Sequence, residues 1–507
     1  MQMQFYRKID WLSVGLLTII LGLTAVFSIK FIYSFLGFDE SVFVWTGFNI
    51  LNGEIPYRDF LEIKPPGIFF VNALGLLLFG VNNFKLMPFL IFIPSLIGLY
   101  ICLVRLGVFK LLAAILTLHY MTIVLYLPFH HTLNDVETYG LAFAVLAMVS
   151  IFLNLNNGVQ LKNDFSKYLA GIFLGFSVMC KEPFVLTVIA IMGVVFVYEL
   201  TIKRKQALTH LFLTIAGGIT VVVVFLSYLI VNNAADAYFG TLVSEFVHSK
   251  MHSSQPATLS YAWSKLSANY YNLKVLSALV PFYIFFIFRH KLGAFSLTTI
   301  AGVILGALSI TIGRNYWDHN YLMGTASLLL PAIFGGKYLS QIYFKFSKRT
   351  KILTVIVFLL FMVWPTVMLG YNFLVDVYAR SYPKPVIYPD PVLSQAVQKY
   401  STANDYILLK DNPITYVVWN RKHSNKWSTM LDSLLKLYEG ESTGEKLSIL
   451  RSDIETKLPK IIYLPESQIR LEQNFHMTQV LYPIINKYNY QQLHPNFYVL
   501  MNNAPRD

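Results

Sequence analysis

Charge is scarce in this sequence. Only 13% of the 507 residues are Asp, Glu, Lys or Arg, against roughly 25% in ordinary soluble domains. Cysteine is scarcer still. Cys102 and Cys180 both sit inside apolar runs, so they read as small hydrophobes and exclude a disulfide framework. The sequence has no Walker loop, no GxGxxG after a strand, no HExxH and no zinc-ligand spacing. A nucleotide cradle and a zincin-type metal site therefore have no sequence support. Apolar residues are abundant, at 55%, with 16% aromatics and a mean hydropathy of +0.54. This composition excludes a disordered chain and disfavours a soluble enzyme, leaving a polytopic membrane protein. Acids are fewer than bases, and the formal net charge is +13. Basic chains often bind nucleic acid, so the location of the charges decides their meaning.

The start, MQMQFYRKIDWLSVG, places basic residues before a long apolar run with no small-residue cleavage site. It reads as a signal anchor. Spans are expected at 11–33, 86–105, 109–128, 138–155, 168–180, 183–201, 207–231, 273–288, 293–312, 320–338 and 352–374. Residues 66–80 are apolar but short, and Lys181, Glu182 and Pro183 interrupt the run 168–201. The positive-inside rule settles both regions. If 66–80 does not cross and Pro183 divides two helices, one face collects 16 basic residues and only Asp10, Asp164 and Glu199 as acids. The opposite interpretation scatters the bases over both faces. The region 66–80 is thus expected to be a juxtamembrane or re-entrant helix, and 168–201 a tight helical pair. The N-terminus lies on the cytoplasmic side, and the surplus positive charge is a topology signal rather than a nucleic-acid signal.

The expected organisation is a membrane domain over 1–374 and a small extracytoplasmic α/β domain over 375–507. In the tail, 405–410, 415–420, 460–465 and 496–501 read as strands. Residues 391–400, 426–438 and 443–456 read as helices, the first behind an Asp390 cap.

Acids and bases of both signs gather in the outer loops, where an ionisable group is costly unless paired or functional. Asp39 and Glu40 follow the first span directly. A carboxylate there is placed to take a proton from an acceptor hydroxyl, although most such acids are merely exposed loop residues. In Lys64-Pro65-Pro66-Gly67 the prolines fix an extended turn, and Pro66 opens the following apolar helix. Lys64 then lies beside the positive end of a helix dipole, where phosphate binds well. A snorkelling lysine is the plain alternative. Asp135 and Glu137 begin the fourth span, either as caps or as a second acidic patch. Lys181 sits at the apex of the helical pair, as an ion-pair partner of Glu182 or as a phosphate ligand. Arg314, Tyr316, Trp317, Asp318, His319 and Tyr321 form a polar-aromatic patch that an aromatic belt explains only in part. His130-His131 with Asp135 offers a weak metal set, since adjacent histidines rarely converge on one ion.

The order of these blocks resembles a known family. A span, Asp-Glu, an amphipathic stretch, NGEIPYRDFLEIKPPG (52–67) and a juxtamembrane helix occur in that sequence. The pattern is similar to the glycosyltransferase C superfamily, specifically to dolichyl-phosphate-mannose-protein mannosyltransferase-like membrane enzymes. Lipid A aminoarabinose transferase and protein O-mannosyltransferases are relatives. The blocks 133–148, 170–183 and 313–336 follow in order, so the likeness covers about residues 1–350. The chain has His319-Asn320-Tyr321 where the family often has His-Tyr.

The resemblance implies a GT-C fold and an inverting transferase that uses a polyprenyl-phosphate-linked sugar. Asp39 would act near the acceptor, with Glu40 completing the pair, and Asp135 and Glu137 would form the second acidic block. Lys64, Arg58, Lys181, Arg314 and His319 would bind the donor phosphate, and Tyr57, Tyr316 and Tyr321 would line the substrate. No cofactor is required, and a divalent metal is compatible with the chemistry. The partners would be the lipid-linked sugar, a lipid, glycan or protein acceptor, and membrane lipids, with no nucleic acid. The location would be the bacterial inner membrane. A transporter or flippase is the rival reading, but no pair of repeated halves with broken helices is visible. A non-catalytic scaffold leaves the placement of acids and lysines unexplained.

Overall fold

The computed structural model describes residues 10–32, 38–126, 133–153, 160–202, 204–242, 279–290, 293–311, 320–343, 347–350, 391–409, 414–424, 443–463, 475–494 and 497–505, with eleven isolated positions between them. By internal packing the chain divides into two units. The first unit comprises Met1–Ser34, Pro88–Val224 and Gln255–Lys384; the second comprises Phe35–Met87, Phe225–Ser254 and Pro385–Asp507.

The first unit is a helical bundle. Its helices are α1 (Trp11–Ile32) and, after α2 and α3 of the second unit, α4 (Met87–Arg105), α5 (Lys110–Tyr126), α6 (Val136–Leu153), α7 (Gln160–Cys180), α8 (Phe184–Ile202) and α9 (Arg204–Val231, shared with the second unit). It continues with α10 (Val280–His290), α11 (Ala294–Thr311) and α12 (Tyr321–Tyr343). Helix α12 packs against α5, α6, α8, α10 and α11, and is buried along nearly all of its length. A helix that is apolar on every side belongs in such a central place. Helix α6 packs along α7, and α8 along α11. Seven helical stretches of the described residues are long and apolar enough to cross a membrane: Trp11–Ile29, Gly67–Arg105, Val136–Leu153, Phe184–Ile202, Lys205–Val231, Ala294–Thr311 and Tyr321–Tyr343. The span expected at 352–374 lies almost wholly outside the described residues.

Lipid offers helices no hydrophobic drive to associate, so close packing and polar contacts hold them. Gly171 of α7 and Gly217 of α9 show the first. A Cβ on Gly171 would overlap the Thr214 carbonyl oxygen, and one on Gly217 would overlap the Tyr168 carbonyl oxygen. The second is visible where Ser177 Oγ donates to the Gly140 carbonyl at 2.8 Å and Tyr283 Oη donates to the Leu328 carbonyl at 2.7 Å.

Helix α7 begins earlier than the expected start at 168, crossing Lys162, Asp164 and Lys167. The helix tolerates this because Lys167 is neutralised. Its ammonium donates to Glu199 of α8 at 2.5 Å, and His210 Nδ1 of α9 meets the other Glu199 oxygen at 2.7 Å. All three side chains are at most 2% exposed, and the His210 ring also lies 3.5 Å from Asp164. A cavity beside them, lined by Ile151, Lys167, Glu199, His210 and Thr214 among others, has room for about one water molecule.

In the second unit, α2 (Phe38–Leu51) packs on α3 (Gly67–Asn83). They approach so closely that a Cβ on Gly47 would lie 2.6 Å from the Ala73 amide nitrogen. Helix α3 kinks at Gly80, where φ is 68°, a conformation suited to glycine. A short 3-10 turn, Phe84–Leu86, follows. The tail supplies α13 (Pro391–Tyr400), β1 (Tyr406–Leu409), α14 (Ile414–Trp419), β2 (Lys422–His423), α15 (Thr443–Thr456), β3 (Ile461–Tyr463), α16 (Phe475–Lys487), β4 (Tyr488–His494) and β5 (Phe497–Pro505). The sheet order is β2-β1-β3-β5-β4. Strand β1 runs parallel to β2 and β3, while β5 is antiparallel to β3 and β4. Leu450, Ile454, Val480, Leu481 and Ile484 cover the sheet residues Leu408, Ile462 and Leu500.

The tail is α/β as expected, with one exchange of element type. Residues 415–420 read as a strand, but 414–419 form helix α14, which packs on α2. A short apolar run of six residues is too brief for its period to separate helix from strand. The expected helix at 426–438 and the Asp390 cap lie outside the described residues.

The buried network predicts a non-additive pair of variants. Glu199→Leu alone leaves the Lys167 ammonium without its carboxylate and should cost about 3–5 kcal/mol. Lys167→Met combined with Glu199→Leu should cost less than Glu199→Leu alone, as measured by thermal unfolding in detergent.

Candidate functional site

The second unit holds the first group of candidates. Asp39 and Glu40 occupy the first turn of α2, where carboxylates match the helix dipole. The two diverge sharply in environment. Asp39 is exposed, whereas Glu40 is 1% exposed and interacts electrostatically with Lys85. Only Asp39 therefore offers a carboxylate to an incoming group. Lys85 was not singled out from sequence, because an isolated lysine in an apolar run gives no sign of a partner 45 residues earlier.

The loop between α2 and α3 is built around Tyr57. Its φ is 67°, unusual for a side chain of this size. Its amide donates to the Phe60 carbonyl at 2.7 Å, and its hydroxyl donates to the Lys64 carbonyl at 2.6 Å. Tyr57 is 2% exposed and packs against Phe69 and Tyr238. In this structure it fixes the backbone of Lys64 rather than presenting a face to solvent. Pro65 and Pro66 follow, and the Pro66 carbonyl accepts the first amides of α3, from Phe69 and Phe70. The half-buried Lys64 thus sits just before a helix N-terminus, as expected.

Arg58 is more committed than expected. Its Nε and Nη2 donate to the two Asp59 oxygens at 2.9 and 2.7 Å, and its Nη1 donates to the Asn232 carbonyl at 3.2 Å. Burial opposes ionisation of Asp59, but the Arg58 guanidinium and the Ile55 amide outweigh it and hold the carboxyl below its ordinary range. Glu54 shows the reverse. Burial, opposed by Lys457, reinforced by Asp59 and opposed again by Lys422, raises its pKa from 4.5 to about 6.

The first unit holds the second group. Asp135 caps α6, its carbonyl accepting the amides of Thr138 and Tyr139. Glu137 lies in the first turn of α6 and is buried. Helix α7 ends at Cys180 and α8 begins at Phe184, so Lys181-Glu182-Pro183 is the expected tight turn. Lys181 does not pair with its neighbour Glu182, which is exposed. Instead its ammonium donates to Glu137 and, at 2.9 Å, to Asn320 Oδ1. Tyr321 opens α12 and is fully buried. Arg314, Tyr316, His319, His130 and His131 lie outside the described residues. Among the described residues no three His, Cys, Asp or Glu side chains are arranged to hold a metal ion.

No family model matches the sequence, and no curated protein matches it. Solved structures do match in fold. ArnT from Cupriavidus metallidurans in the apo state is 11% identical with a TM-score of 0.57, over 96% of this chain and 98% of that one. The same protein bound to undecaprenyl phosphate is 12% identical with a TM-score of 0.53, over the same shares. The Archaeoglobus fulgidus oligosaccharyltransferase complexed with Zn and sulfate is 14% identical with a TM-score of 0.51, over 96% of this chain and 73% of that one. At these identities the likeness establishes the fold, which is of the expected GT-C type.

The raised Glu54 pKa gives a pH test. The stability linked to its protonation is fully present below pH 4.5 and is lost as pH rises through about 6. Glu54→Gln should therefore raise the melting temperature at pH 8 and leave it unchanged near pH 4.

Proposed function

We propose that this chain is an integral membrane glycosyltransferase. It moves a sugar from a polyprenyl-phosphate carrier to a hydroxyl or phosphate acceptor on the extracytoplasmic face of the plasma membrane. The observation that carries this reading is the fold shared over almost the full length with ArnT, one structure of which holds undecaprenyl phosphate. The residues supply the matching chemistry. The carrier's apolar chain stays in the bilayer while its phosphate lies at the interface, where a lysine behind a proline-fixed helix start suits it. Lys64 takes that part, and Lys181 and Arg314, by their order in the sequence, supply further positive charge. Cations on the leaving phosphate lower the barrier to breaking the glycosidic bond.

Asp39 acts as the general base. It takes the proton of the acceptor hydroxyl as the oxygen attacks the anomeric carbon from the face opposite the phosphate. The carbon–phosphate-oxygen bond breaks, the electron pair leaves on the phosphate, and the configuration inverts. Glu40, buried beside Lys85, tunes the charge near Asp39 rather than touching the acceptor. No step requires a nucleotide or a metal.

The test is transfer in vitro from a panel of polyprenyl-phosphate sugars, with mass spectrometry of the acceptors. Asp39→Asn should lower turnover by about 10²–10⁴-fold while leaving expression and folding intact; full activity would remove the base from this position. Lys64→Ala should raise the KM for the donor more than it lowers kcat. Substrate accumulation in proteoliposomes with no transferred product would favour a transporter instead.

A further inference from the structure

Lys181 is held from two sides, and the two partners differ in kind. Glu137 is a carboxylate, 2% exposed, while Lys181 itself is 15% exposed. Asn320 is neutral, 4% exposed, and stands at the start of the central helix α12. An ammonium only donates, so the atom of Asn320 that faces it at 2.9 Å is the amide oxygen. That fixes which end of the amide meets the ammonium and leaves its NH₂, on the same carbon, to donate to another acceptor. Among the described residues neither this NH₂ nor the third N–H of Lys181 has a partner.

Lys181, which is 15% exposed, and the amide that holds it thus each keep an N–H donor. Glu137 offers none. A tetrahedral oxyanion arriving at Lys181 competes with the Glu137 carboxylate for the positive charge. It does not compete with Asn320, whose oxygen holds the ammonium without charge and whose nitrogen can donate to the same anion. A carboxylate in place of Asn320 would hold the lysine equally well but repel the anion.

We propose that Asn320 is a positioning residue for Lys181 and a second donor to the phosphate of the lipid carrier. The inference rests on the reading of Lys181 as a ligand of that phosphate.

The test uses the purified full chain in detergent and undecaprenyl phosphate as the probe, with binding measured directly. Asn320→Ala should weaken binding roughly tenfold to a hundredfold, the loss expected for a hydrogen bond to a charged group. Asn320→Asp keeps the acceptor that holds Lys181, so it should retain the wild-type melting temperature and still bind at least tenfold more weakly. Wild-type binding by Asn320→Asp would reduce Asn320 to a structural acceptor and overturn the proposal. In a Lys181→Ala background, Asn320→Ala should add much less than its effect alone; full additivity would also overturn it. If Lys181→Ala itself binds like wild type, the phosphate reading at Lys181 fails and the inference with it. If Lys181→Ala binds weakly and Asn320→Ala normally, only the inference fails.

Discussion

A charge inside an apolar helix bundle must meet an opposite charge or a set of dipoles, because lipid and packed side chains provide neither. This constraint shapes both ends of the α6–α9 region. At one end Lys167, Glu199 and His210 draw α7, α8 and α9 together with every member at most 2% exposed. At the other end Lys181 reaches past its neighbour Glu182 to Glu137 and Asn320. The first network is sealed, with space beside it for about one water molecule. The second is partly open. Burial separates a charge cluster closed off from solvent from one that solvent can reach.

The same distinction divides the adjacent acids of α2. Asp39 and Glu40 are chemically near-identical and one residue apart, yet the helix turns them about 100° from each other. One faces outward; the other is buried and interacts with Lys85. In this pair the side chain's surroundings, rather than its type, decide whether it is available to a substrate. Arg58 makes a related point. A guanidinium bound through two nitrogens to its neighbour Asp59 organises a loop.

Much of this was legible in the sequence because it is local. Apolar runs gave the helices of the bundle, with ends mostly within a few residues. Two prolines gave the start of α3, and Lys181-Glu182-Pro183 gave the turn between α7 and α8. Lys167, Asp164 and Glu199, which charge asymmetry groups together, share one network with His210. Partners remote in sequence were not legible. Adjacency suggested Glu182 for Lys181, whereas the partner is Glu137, 44 residues away. Nor did any pattern reveal that Trp45 of α2 packs edge-on to His423 of β2, with ring centroids 5.6 Å apart. Helix α14 is too short for its period to show, and the charges Lys162, Asp164 and Lys167 disguise the first turns of α7. Helix α16 and strand β4 follow each other without a break between Lys487 and Tyr488, so no turn residue announced them.

The Glu137–Lys181 pair has a consequence for turnover under the proposed function. A lysine standing alone would bind the carrier's phosphate strongly and release the spent carrier slowly. With Glu137 present, binding exchanges one anion for another at the same ammonium, and the net gain is a difference between two similar attractions. A uniformly tight site lowers KM without raising kcat. An internal carboxylate that competes with the phosphate moderates ground-state affinity. Under that proposal, negative charge builds on the phosphate as the glycosidic bond breaks and the exchange would tip toward Lys181, so the pair would favour the transition state over the resting donor. Release would follow when the carboxylate, which never leaves the protein, recovers the lysine.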